Sequence, residues 1–158
     1  MISILKQNSE GLNADIRATG CFFVSCLAIA QRKSGKELSK AQYNALYKKA
    51  HSFGFMKNGY MITSDKVINL AFAELGVHKK AFEVGTNSDG FYDWVQKNKN
   101  YQKVDACIQK IKQPAGSTYP FHFRVTDKTG GLLFDPYSPE VKSAGSVHII
   151  WYCIKDFS

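Results

Sequence analysis

The stretch TGCFFVSCLAIAQ, residues 19–31, sets a cysteine between a glycine and a long apolar run. Phe22, Cys26, Ile29 and Ala30 recur at helical spacing, which predicts a helix over residues 21–32 with one face to bury, ended by Ser34-Gly35. Gly20 is expected to let the backbone turn tightly into that helix. Cys21 then stands at a helix N-terminus, where unpaired N–H groups favour an anion. A thiol near its free pKa is only a small fraction thiolate at neutral pH, so a nucleophilic cysteine is placed at such a terminus or beside an imidazole.

The imidazole comes from far downstream, in FHFRVTDKTGGLLFDP, residues 121–136. Strand alternation puts Phe121, Phe123 and Val125 on one face and His122, Arg124 and Thr126 on the other. Lys128-Thr129-Gly130-Gly131 reads as a turn, and Leu132-Leu133-Phe134 as the returning strand that ends at Asp135-Pro136. His122 and Asp135 lie at comparable distances from that turn, so the hairpin brings the carboxylate back to the ring. There it accepts the imidazole N–H, fixes the tautomer and stabilises the imidazolium formed with a thiolate. Cys21, His122 and Asp135 are therefore the candidate catalytic residues of a cysteine hydrolase. His148 also precedes an apolar strand and is the rival histidine, but no Asp-Pro hairpin follows it. His51 and His78 fall at expected helix ends, where histidines commonly bond carbonyls.

The order Cys, long interval, His on a strand, then Asp-Pro on the next strand resembles the papain-like cysteine peptidases, in particular the branch of the bacteriocin (double-glycine) leader peptidases. Gly20, Cys21, Ser25 and Ala28 are similar to that branch's nucleophile motif, in which small residues line the helix after the Cys. The resemblance implies a Gln upstream that donates to the oxyanion, and Gln7 is the candidate, with Asn8 and Asn13 as substitutes. It spans roughly residues 4–30 and 104–137. Two departures stand out: Phe22-Phe23 follow the Cys where the family often has Gly or Pro, and the interval from Gln7 to Cys21 is longer than in the papain pattern.

Elsewhere, Ser39 is expected to cap a helix that runs to Ser52 before Gly54, and Thr63 or Ser64 one that runs to Leu75 before Gly76. Ser88 is read as the cap of a helix over residues 90–97. Strands are expected over residues 79–84, 104–112, 121–126, 131–134 and 147–154. Helices first and an antiparallel sheet after them make an α+β fold, and the resemblance implies its papain-like form, with N-terminal helices packed on a C-terminal antiparallel sheet. A chain of 158 residues with 44% hydrophobic and 13% aromatic residues fits one papain-like cysteine hydrolase domain over residues 1–158.

The first residues, MISILKQNSEG, carry neither a basic start nor a long apolar core, so no signal peptide is read, and no run approaches a membrane-spanning length. Synthesis in the cytoplasm is expected. Cys21, Cys26, Cys107 and Cys153 show no CxxC or His/Cys metal spacing, so no metal or other cofactor is expected. Cys26, Cys107 and Cys153 are read as buried, reduced structural thiols. The formal charge of +8 is spread over scattered lysines, which suits a solvated surface or affinity for an anionic polymer, and no nucleic-acid motif accompanies it.

Two classes of function follow. One is a thiol hydrolase cutting a peptide or amide bond, its substrate a protein or the peptide of a cell wall. A phage-type peptidoglycan hydrolase, an endolysin released to the wall through a holin without a signal peptide, is one form of it. The other is a catalytically inactive papain-like binding module, an inhibitor or effector of a host protein. The two are separated by the reactivity of Cys21. The sequence carries nothing that sets an oligomeric state.

Overall fold

The computed structural model describes residues 2–88 and 103–157. The helix expected over residues 90–97 lies outside them. The elements in chain order are α1 (Ala14–Thr19), α2 (Cys21–Ser34), α3 (Lys40–Ser52), β1 (Met56–Lys57), β2 (Tyr60–Met61), α4 (Ser64–Glu74), β3 (Lys79–Asn87), β4 (Ala106–Lys112), β5 (Phe121–Thr126), β6 (Leu132–Phe134) and β7 (Ser146–Asp156). Strands β3, β7, β4, β5 and β6 lie side by side in that order, antiparallel throughout. N-terminal helices against a C-terminal antiparallel sheet make this an α+β fold.

Local chemistry sets the helix ends. Ser39 accepts from the Gln42 N–H while the Gln42 side chain accepts from the Ser39 N–H, a capping box that starts α3. Gly35 ends α2 in the left-handed conformation that a Cβ disfavours. Thr63 occupies the N-cap position of α4 without a side-chain cap bond, and the Ser64 hydroxyl is spent on Tyr152, 2.6 Å away in the core.

Helix α2 corrects the expectation of a single buried face. Every residue from Phe23 to Gln31 is buried, because α4 covers one flank and β5 and β4 another. Its Leu27 and Ile29 share one core with Ile108, Val125 and Ile150 of the sheet. Burying several large side chains contributes about 1.5–3 kcal/mol each, so α2 is the anchor of the fold.

Three short elements, α1, β1 and β2, were not expected. Helix α1 is only six residues long, capped by Asn13 and buried through Ile16. The short β1–β2 hairpin turns at Asn58, which has positive φ, and Gly59. No helix among the described residues is long and apolar enough to cross a membrane.

Candidate active site

Gly20 joins α1 to α2, and its role differs from the expected tight turn. Its backbone is unstrained, at φ −84° and ψ 15°. A Cβ there, however, would lie 2.4 Å from the Ile16 carbonyl oxygen, which accepts the Gly20 N–H at 2.9 Å. Glycine is required because α1 runs directly into α2, and that junction fixes where Cys21 begins the helix.

Cys21 is half-buried, the first residue of α2. The N–H groups of a first helical turn lack intrahelical acceptors and favour negative charge nearby. Ser25 back-bonds to the Cys21 carbonyl at 2.7 Å, holding the turn closed. The next residue, Phe22, stacks on Phe123 of β5 with ring centroids 4.3 Å apart, tying the helix start to the strand that carries the histidine.

His122, the second residue of β5, lies opposite Ile111 of β4 and is only 3% exposed. Its Nε2 meets Asp135 Oδ1 at 2.7 Å. Cys21 is the ring's other partner, acting on its proton affinity together with Asp135, and Nδ1 is the nitrogen that Asp135 leaves open. Burial works to lower the ring's affinity for a proton, but the bonds and charges of Asp135 and Cys21 outweigh it and push its pKa up to about 9. Phe123 and Val125 lie on the strand face toward α2, and Phe121 is 40% exposed at the strand's open end, beyond the cover of the helix.

Asp135 follows β6 and is 2% exposed, yet each carboxylate oxygen is bonded. Oδ1 also accepts the Tyr137 N–H and Oδ2 the Val141 N–H, both at 2.9 Å. Burial opposes ionisation, but the His122 bond and these two N–H groups prevail and hold the carboxyl below the usual range.

A strap from the N-terminus, invisible to a local reading of the sequence, runs along this loop. Lys6 donates to the Asp135 carbonyl at 2.6 Å and lies over the Phe134 ring, 4.2 Å from its centroid. The Gln7 N–H bonds the Pro136 carbonyl at 2.6 Å. Asn8 bonds the Ser138 carbonyl at 2.8 Å and accepts the Ser138 N–H at 3.3 Å. Of the substitute oxyanion donors, Asn8 spends its side-chain N–H on the Ser138 carbonyl, while Asn13 caps α1 through its Oδ1, which accepts the Asp15 N–H. Gln7 itself is buried, with Nε2 3.4 Å from the Arg17 carbonyl of α1 and Oε1 without a hydrogen-bond partner among the described residues.

The rival His148 sits on β7, half-buried, 6.1 Å from the Phe123 ring. Burial, aided by the Lys110 charge, moves its pKa down. His51 packs against Tyr47 on α3, and His78 meets Phe157 beside β3. All four cysteines are free thiols. Burial pushes the Cys26 thiol well up and that of Cys107 to about 12. Cys153 is half-exposed rather than buried, since it alternates with Tyr152 and Ile154, whose side chains take the strand face that packs into the main core. Among the described residues no group of three or more His, Cys, Asp or Glu is arranged to hold a metal ion.

No family model, curated protein or solved structure matches this chain.

Proposed function

We propose that the protein is a cysteine hydrolase of papain-like design that cleaves a peptide or amide bond. The carrying observation is the buried bond of Asp135 to Nε2 of His122, with the half-buried Cys21 at the start of α2 acting on the same ring. A thiol, an imidazole and a carboxylate linked in that order supply a nucleophile, a proton shuttle and an orienting group.

In this reading Cys21 attacks the carbonyl carbon and the oxyanion forms near the α2 N-terminus, with the Cys21 N–H and the Gln7 amide as donors. His122 passes its proton to the leaving amine, and the acyl-thiol is then hydrolysed by a water that His122 deprotonates. The +8 charge supports an anionic setting for the substrate, and the peptide of a bacterial cell wall is the substrate proposed. Cys21 labelled rapidly and stoichiometrically by iodoacetamide at pH 6, ahead of Cys26, Cys107 and Cys153, together with hydrolysis that Cys21→Ala abolishes, is the expected result. A thiol no more reactive than Cys153 would instead favour the inactive binding module.

A further inference from the structure

The face of the sheet that α2 covers does not end where the helix ends. Ile108, Val125 and Ile150 are paired across β4, β5 and β7 and buried in the core. Side chains two residues further along each strand share that face. They are Lys110, Phe123 and His148, again paired with one another and only half-buried. Two further on, Lys112 pairs with Phe121, and both are exposed. The sheet thus continues past the N-terminus of α2 as an open shelf, reached from Cys21 through Phe22 stacked on Phe123.

The shelf has a definite chemistry. Its floor is aromatic, and the Lys110 ammonium lies 4.2 Å from the Phe121 ring centroid and 5.8 Å from that of Phe123. Among the described residues the ion pairs are Lys79 with Asp156 and His122 with Asp135, so neither Lys110 nor Lys112 is matched by a carboxylate. Beyond Lys112 an open depression of about 390 Å³ is bordered by Tyr119, Pro120 and Phe121. An apolar floor with an unmatched ammonium held over it suits a side chain with an apolar stem and a carboxylate end.

We propose that the shelf formed by Phe121, Phe123, Lys110 and His148 is a subsite for a carboxylate-bearing residue of a peptide substrate, next to the bond that Cys21 attacks. This inference rests on the cysteine hydrolase reading. The stem lies on the phenylalanine rings, and the carboxylate pairs with Lys110.

Two measurements on the whole protein test it. The first compares alkylation of Cys21 by iodoacetate, an anion, with that by neutral iodoacetamide, followed by mass spectrometry of the Cys21 peptide. Lys110→Gln should lower the iodoacetate-to-iodoacetamide rate ratio by about fivefold at low salt, and Lys110→Glu should lower it further, as expected for a nearby charge removed and then reversed. The second measures kcat/KM for peptide pairs differing by Glu or Gln at one position near the scissile bond. The wild type should prefer Glu, Lys110→Gln should lose the preference, and Lys110→Glu should favour Gln. Circular dichroism of each variant checks its fold, and Lys112→Gln, on the exposed rim, should have a smaller effect. Cys21 that alkylates readily while no position favours Glu overturns the subsite and leaves the hydrolase standing. Cys21 inert to both reagents, with no peptide cleaved, overturns both.

Discussion

The Nε2 of His122 and Oδ1 of Asp135 meet at 2.7 Å in a site where both side chains are almost wholly out of solvent. Buried polar groups in such contact are costly to separate, because the partner left behind keeps its desolvation penalty. The pair therefore fixes one ring orientation, with Nδ1 left open. Asp135→Ala should leave a folded protein whose hydrolysis falls by about 10²-fold or more, the range typical for loss of positioned acid–base catalysis. Steady-state kinetics on a cleaved peptide checks it. Activity within threefold of wild type would mean that the ring needs no carboxylate to face the sulfur.

The pH profile follows from the same pair. Asp135 and Cys21, acting against burial, raise the His122 pKa to about 9, so the ring stays protonated and able to donate to a leaving amine through neutral pH. Turnover should decline as pH rises through about 9, while alkylation of Cys21 continues, because the thiolate needs no acid. Since the folded value lies above the ordinary value of 6.5, the stabilisation from a charged His122 is complete below about 6.5 and lost as pH climbs through 9. Asp135→Asn should move the alkaline limb to lower pH. An unmoved limb in that variant would assign it to another group.

Much of this frame is legible in the sequence because it is local. Gly35 and Gly76 end helices, Ser39 and Gln42 cap one, and the turn after Asp127 closes a hairpin, each within a few residues. The positions of Cys21, His122 and Asp135 follow from that local chemistry. The support around Asp135 is not local. Lys6 and Asn8 find their partners 129 and 130 residues away, in a pairing that no periodicity encodes. Helix α1 escapes for a related reason: six residues form no stable helix alone, and this one is held by burial of Ile16 and by its junction with α2.

That junction is itself testable. Gly20→Ala would press a methyl group to 2.4 Å from the Ile16 carbonyl, so α1 or α2 must move. The variant should be destabilised by about 1–3 kcal/mol, as overpacking usually costs, which urea denaturation would measure. The displaced helix start should also slow Cys21 alkylation. Gly35→Ala, with φ at 69° and open space around it, should destabilise through backbone strain alone and leave Cys21 reactivity unchanged.

Gln7 separates transition-state stabilisation from nucleophile activation. Its Nε2 makes only a long 3.4 Å bond to the Arg17 carbonyl of α1, so the amide has donor capacity to spare. Gln7→Ala should cut kcat by about 10²–10³-fold, the usual effect of removing one oxyanion donor. Alkylation of Cys21, which forms no oxyanion, should change little. Equal loss of both rates would show that the Gln7 side chain acts by holding α1 through the Arg17 carbonyl instead.

The charge of +8 leads to a prediction about the substrate's surroundings. If the exposed lysines draw the protein to an anionic wall, association is electrostatic and screened over about 10 Å at 0.1 M ionic strength. The His122–Asp135 pair is buried and far less exposed to such screening. Binding to purified peptidoglycan sacculi should therefore weaken steeply as salt rises, whereas cleavage of a small neutral peptide should be nearly independent of salt. Sedimentation with sacculi across a salt series, read alongside release of soluble muropeptides, separates the two terms. Tight binding without muropeptide release would make the wall a docking surface only. No binding at low salt and no release would remove the wall as substrate and leave an intracellular peptidase or a protein-binding effector as the better account.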